Sequence, residues 1–212
     1  YPDDSKYFES IKHRTSNLYP LEAFTDAKGL VTDILKEYDR TIQTAQLTYL
    51  ETKYKDINSP LYITIAAQEM RHWKSTDIPN DEGPDKKSLA STQKEIITEF
   101  IDNLHSVYHH DKDFVKRVFS YIYLADGLSE SELLEIISID DEFIKKLAPD
   151  TFHNNVTEEL PTVIWARLHT QIKEFLKLEK KDGFKVMKFF HREFNSVIYK
   201  QEDIELYHEK LI

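Results

Sequence analysis

The chain has 212 residues, a length that suits one large domain or two small ones. Its formal net charge of −10 leaves non-specific binding to a phosphate backbone without an electrostatic basis at the level of the whole chain. The absence of cysteine excludes a disulfide framework, a thiolate nucleophile and a cysteine-based zinc site.

Only 4 glycines and 7 prolines occur, which disfavours a turn-rich β-sandwich and favours helices. No apolar run approaches the roughly 20 residues that span a bilayer, and no signal-peptide pattern opens the chain. We therefore expect a cytoplasmic protein without a membrane partner. The chain begins at Tyr1 without a methionine and ends at Ile212 inside a predicted amphipathic helix, so we expect a piece of a longer protein.

The sequence of the first half of the chain predicts a series of short helices. Apolar residues recur at intervals of three and four, which predicts helices over 5–17, 26–38, 47–54, 60–73 and 92–108. Residues 18–24 are interrupted by a proline and predict an edge strand or an extended lead-in. Ser59 and Pro60 together form a favourable helix start. Residues 74–91 hold two prolines and a glycine and predict a linker.

The second half has the order of a winged helix. Helices are predicted over 114–124, 129–137, 140–147 and 160–173, and strands over 175–178 and 184–189. Ser129 and Glu132 form a capping-box sequence. Asp182 and Gly183 between two alternating runs predict a β-hairpin. The fold class is therefore mainly α, a helical bundle followed by a winged-helix domain with a small β-hairpin.

The motifs of several enzyme classes are missing. A phosphate-binding loop needs closely spaced glycines, whereas Gly29, Gly83, Gly127 and Gly183 are far apart. The chain also lacks the nucleophile elbow of α/β-hydrolases and the HExxH motif of zinc proteases. This chain alone has no recognisable hydrolase machinery and no catalytic residue can be named.

Three histidines and several lysines are candidates for binding. His191 lies where a strand-like run passes into a helix-like one, and considered by itself it is better explained as a packed boundary histidine than as a binding residue. His105 and His109 have the spacing of metal ligands on a helix, but the sequence supplies no further cluster, so no metal site is predicted. Lysines of the hairpin could contact phosphate in a DNA-binding winged helix, which the net charge disfavours.

Several short strings together resemble NACHT-type STAND proteins, which are nucleotide-driven switches and include nephrocystin-like, telomerase-associated and bacterial members. Each string is weak alone, and their order and spacing make the set specific. The matching strings are residues 58–63 (NSPLYI), 68–71 (QEMR), 127–133 (GLSESEL), 160–168 (LPTVIWARL), 189–194 (FFHREF) and 207–211 (YHEKL).

The resemblance implies a division of the chain into four parts. Residues 1–24 would be the trailing edge of an NTPase core, 25–91 a helical lid with the linker 74–91, 92–200 the winged helix, and 201–212 the start of a helical repeat region. In the family the lid and the winged helix close over ADP at rest and swing away on activation, which permits oligomerisation.

The resemblance also implies two nucleotide contacts. Pro60 occupies the family position that packs near the adenine, and His191 the position that contacts a phosphate. The implied partners are a P-loop NTPase core, a downstream repeat domain and further copies of the activated protein. ADP or ATP with Mg²⁺ would be bound by the parent ATPase and not by this chain alone, since Walker A and Walker B are absent. A DNA-binding winged-helix regulator and a purely structural interaction domain are the alternatives.

Overall fold

The computed structural model describes residues 25–81, 87–147, 160–181 and 183–198. Within these ranges the chain is mainly helical, as predicted, with nine α-helices and one β-hairpin. The helices are α1 (Ala27–Glu37), α2 (Thr44–Tyr54), α3 (Pro60–Met70), α4 (Gln93–Ser106), α5 (Lys112–Leu124), α6 (Glu130–Ser138), α7 (Asp141–Leu147), α8 (Thr162–Ile172) and α9 (Arg192–Ile198). A 3-10 turn (Lys173–Phe175) leads into strands β1 (Leu176–Lys181) and β2 (Phe184–Phe189).

The predictions for residues 1–24 and 201–212 lie outside the described residues, as does Asp182. None of the described helices combines the length and the apolar composition that crossing a bilayer requires.

Local side-chain interactions begin several helices where the sequence predicts them. Asp26 Oδ1 accepts from the Gly29 N–H at 2.8 Å and caps α1. At the start of α6, Ser129 Oγ accepts from the Glu132 N–H at 3.2 Å, and Glu132 Oε2 accepts from the Ser129 N–H at 2.8 Å. This reciprocal pair is the predicted capping box. The Ser59 side chain makes no capping hydrogen bond, so Pro60 is the main local determinant of the α3 start.

One buried apolar cluster extends from Ala27 in α1 to Ile198 in α9. Near its C-terminal end five phenylalanine rings pack against each other: Phe100, Phe119, Phe175, Phe189 and Phe194. The rings of Phe189 and Phe194 are stacked with centroids 5.3 Å apart. Burying each such ring contributes about 1.5–3 kcal/mol. The cluster therefore holds β2 and α9 firmly on α4 and α5.

One residue of the loop between α5 and α6 joins the two-stranded hairpin through an isolated β-bridge. β1 and β2 pair antiparallel, from Leu176 opposite Phe189 to Lys181 opposite Phe184. On the other side of β2, Leu128 and Met187 exchange both backbone hydrogen bonds, at 2.7 and 3.2 Å. Gly127 precedes Leu128 with a φ of +108°, a conformation that favours glycine.

The segment 74–91 contains no helix or strand in its described parts, apart from one isolated bridge between Asn80 and Lys87. Its end packs on the preceding helices. Leu89 and Ala90 are buried, and the Ala90 carbonyl accepts from the Tyr62 hydroxyl at 2.7 Å. The connection into α4 is thus held against α3 by apolar packing and a buried hydrogen bond.

Candidate functional site

His191 lies between the last residue of β2 and the first residue of α9. Two backbone hydrogen bonds hold this junction. The Phe190 N–H donates to the Phe175 carbonyl at 2.9 Å, and the Phe194 N–H donates to the His191 carbonyl at 3.2 Å. Because Phe175, Phe189 and Phe194 are all buried, the backbone that carries His191 is rigidly placed.

The imidazole of His191 is half-buried and contacts one aromatic ring. The Phe190 ring lies edge-on to it, with centroids 4.7 Å apart and planes at 80°. Burial lowers the pKa of His191 below its usual range, and the Glu193 carboxylate opposes this shift. The ring makes no hydrogen bond within the described residues. A neutral imidazole here can donate one N–H to a phosphate oxygen.

Pro60 is exposed at the first position of α3. Asn58 precedes it with a φ of +50°, and its Nδ2 donates to the Lys55 carbonyl at 3.1 Å. Asparagine tolerates this left-handed conformation better than most residues. Asn58 therefore forms part of the turn between α2 and α3, and Pro60 begins α3. This short string thus has a local structural role besides the nucleotide contact that the resemblance implies.

Pro60 and His191 are not joined by a hydrogen bond in the described chain. Helix α3, which Pro60 begins, and helix α9, which follows His191, both pack against α4. A single ligand that touched both residues would thus have to contact both the start of α3 and the segment before α9.

His105 and His109 have a structural role at the end of α4. The His109 backbone is left-handed, with a φ of +57°, and the His110 N–H donates back to the Leu104 carbonyl at 3.0 Å. His105 Nδ1 lies 2.8 Å from the His110 carbonyl, to which it donates. No group of three histidine, aspartate or glutamate side chains among the described residues is arranged to hold a metal.

Two lysines of the hairpin pair with carboxylates of the chain itself, whereas Lys180, Lys181 and Lys185 form no ion pair within the described residues. Lys188 pairs with Asp126, and Lys177 pairs with Glu179. In α8, the helix that would read DNA bases, Trp165 is buried and donates through Nε1 to Glu130 Oε1 at 2.7 Å. These contacts give the DNA-binding alternative no positive support.

A polar cluster at the C-terminal end of α3 was not anticipated from the sequence. Arg71 Nη2 donates to the Tyr108 hydroxyl at 3.0 Å and to Gln171 Oε1 at 2.9 Å. Its guanidinium lies over the Tyr38 ring, 4.9 Å from the centroid. We call this group, together with Gln68 and Glu174, the Arg71 cluster.

Glu174, in the 3-10 turn after α8, also belongs to the Arg71 cluster. It accepts from the Tyr38 hydroxyl at 3.0 Å through Oε1 and from Gln68 Nε2 at 3.0 Å through Oε2. Its partners therefore lie in α3 and just after α1, more than 100 positions away in the sequence. A local sequence pattern cannot predict contacts between residues this far apart, although Gln68 and Arg71 belong to the 68–71 string of the family resemblance.

The chain is similar to part of several proteins that carry a NACHT domain and WD repeats. It is 27% identical over 161 residues to human NACHT domain- and WD repeat-containing protein 1, covering 75% of this chain and 10% of that protein. It is 25% identical over 187 residues to the mouse protein of the same name, covering 86% of this chain and 11% of that one. For mouse NACHT and WD repeat domain-containing protein 2, the identity is 25% over 171 residues, covering 79% and 9%.

This chain thus spans about a tenth of the length of these curated relatives. No family model and no solved structure matches it. The similarity supports a relationship to NACHT proteins and extends over most of the chain.

Proposed function

We propose that this chain is the regulatory region of a NACHT-related STAND ATPase, in which a helical lid and a winged helix close over bound nucleotide. The observation that carries the proposal is the similarity to NACHT- and WD-repeat-containing proteins over most of the chain. The order of three or more helices followed by a hairpin and a final helix is compatible with a winged helix.

A nucleotide drives such a switch only if the closed state binds it more tightly than the open state does. An imidazole that donates to a phosphate in the closed state alone supplies this difference. One hydrogen bond to a charged group contributes about 1.5–3 kcal/mol. That amount shifts a two-state equilibrium by roughly one to two powers of ten.

His191 and Pro60 are the residues we assign to the nucleotide. The His191 imidazole is half-buried on a rigid backbone, and burial lowers its pKa, so it is neutral at pH 7 until an anion approaches. A phosphate would raise that pKa and strengthen the bond. Pro60 is exposed and has no N–H to satisfy, which suits an apolar contact with the flat face of an adenine.

The remaining parts of the switch would come from outside the described residues. We propose a P-loop NTPase core that binds ADP or ATP with Mg²⁺, a downstream repeat domain, which the relatives' names include as WD repeats, and homo-oligomerisation after activation. The charge of the phosphates would be neutralised mainly by that core.

The test is nucleotide retention in the parent protein carrying His191→Leu. We expect faster ADP release and higher basal assembly than in the wild type. The exposed His109→Asn variant is the control, since asparagine tolerates the left-handed backbone and this position is at the end of α4. Unchanged ADP occupancy in purified His191→Leu protein would reject the assignment.

A further inference from the structure

Two consecutive phenylalanines at the end of the hairpin have opposite environments. Phe189 is 4% exposed and packs in the aromatic cluster, whereas Phe190 is 62% exposed. The Phe190 backbone is anchored by its hydrogen bond to the Phe175 carbonyl. Its ring is therefore presented outward from a fixed point.

The outward ring of Phe190 has one aromatic contact in the described residues, the imidazole of His191. The edge-on arrangement directs the positive rim of one ring towards the negative face of the other, which is a favourable geometry. Phe184, at the start of β2, is comparably exposed at 69%. Within the described chain the Phe184 ring contacts no other aromatic ring. The two exposed phenylalanines therefore differ, because only Phe190 makes a specific ring contact.

The Phe190 ring affects both the orientation and the hydration of the His191 imidazole. A half-exposed imidazole on a fixed backbone still has two side-chain torsions, and a neighbouring ring restricts them. The same ring removes water from one side of the imidazole. In such a site a hydrogen bond to an anion is stronger, because the effective dielectric is lower than in water.

We propose that Phe190 is the positioning residue of His191: it holds the imidazole in the orientation that meets the nucleotide phosphate and shields it from water. The presence of a phosphate beside His191 rests on the proposed function, whereas the contact between the two rings is observed in this chain. Phe190 does not touch the phosphate; it acts through His191.

The first experiment follows the imidazole directly, without nucleotide. NMR titration of His191 in the full chain is compared among wild type, Phe190→Ala, Phe190→Tyr and the control Phe184→Ala. In Phe190→Ala the imidazole becomes more hydrated, so we expect its pKa to rise towards the ordinary histidine value and its ring signals to average. Phe190→Tyr keeps the ring contact and restores wild-type behaviour. A pKa that is the same in Phe190→Ala, Phe184→Ala and wild type overturns the proposal.

The second experiment measures ADP release from the parent protein. We expect Phe190→Ala to release ADP about threefold to tenfold faster, the range that corresponds to losing one aromatic pair. Phe184→Ala releases ADP at the wild-type rate. Because Phe190 acts through His191, adding Phe190→Ala to His191→Leu produces no further acceleration; an additive effect overturns the positioning role.

The two experiments separate the two proposals. If His191→Leu retains ADP normally, the proposed nucleotide contact fails, and the nucleotide part of this inference fails with it. If His191→Leu releases ADP faster but Phe190→Ala changes neither the His191 pKa nor the release rate, the nucleotide contact stands and only the role of Phe190 is wrong.

Discussion

Arg71 Nη2 lies 2.9 Å from Gln171 Oε1, a contact between residues 100 positions apart. Arg71 follows the last residue of α3, and Gln171 is in the last turn of α8. In the division that the family resemblance implies, the first belongs to the lid and the second to the winged helix. Any motion that separates those two parts has to break this hydrogen bond and the neighbouring one between Gln68 and Glu174.

Replacing Arg71 tests how strongly the Arg71 cluster holds these helices together. Arg71→Ala removes the hydrogen bonds of Arg71 to His72, Tyr108 and Gln171 and its contact with Tyr38. Because the side chain is partly exposed and solvent screens these bonds, we expect the free energy of unfolding to fall by about 1.5–3 kcal/mol in total. Urea denaturation measures it. Arg192→Ala is the matched control: its side chain is 71% exposed, and we expect a change within about 0.5 kcal/mol.

A double-mutant cycle of Arg71→Ala with Gln171→Ala measures the interaction free energy between these two residues. Residues in direct contact show coupling energies of about 0.5–3 kcal/mol. If the effects of Arg71→Ala and Gln171→Ala are simply additive, the hydrogen bond between these residues does not contribute measurably to the stability of the fold.

Pro60→Ala tests the proposed adenine contact. The substitution removes two methylene groups from an exposed position, and if both pack on the base, the loss is about 1.5 kcal/mol, or roughly tenfold in the rate of ADP release. Stopped-flow release of a fluorescent ADP analogue from the parent protein is the measurement. Pro161→Ala, which also changes a proline at a helix start, serves as the control. Equal release rates in Pro60→Ala and wild type contradict the assignment.

Glu69 makes stability depend on pH. Its Oε1 accepts from Asn103 Nδ2 at 2.5 Å, yet burial raises its pKa above the usual carboxyl range, and Glu99 adds to the shift. The folded state therefore binds this proton more readily than the unfolded chain does. As pH rises above the ordinary glutamate pKa, the carboxylate forms and its contribution to the free energy of unfolding becomes less favourable.

Glu69→Gln keeps an acceptor for Asn103 and removes the charge. We expect this variant to be more stable than the wild type at pH 7, and the difference to shrink as the pH approaches about 4, where the wild-type carboxyl is protonated. Urea midpoints across this range measure it, with the exposed Glu135→Gln as control. A difference that does not vary with pH would show that the charge of Glu69 is not the cause.

Much of the secondary structure was predictable because its determinants lie within a few residues of each other. The Ser129 and Glu132 side chains begin α6, Asp26 caps α1, and Pro60 suits the first position of α3. The alternation on either side of Gly183 predicted the hairpin. Capping bonds and turn conformations operate over three or four residues, so a single sequence contains their full information.

The mainly helical class, the hairpin and the place of His191 at a strand-to-helix junction therefore follow from local sequence patterns. The role of His191 as a phosphate contact stays a prediction. The packing of the hairpin on the helices places Phe189 in the core and leaves Phe190 facing outward against His191. The tertiary structure also joins Arg71 with Gln171. These relationships depend on how distant elements pack, and packing across 100 positions leaves no periodic signal along the chain.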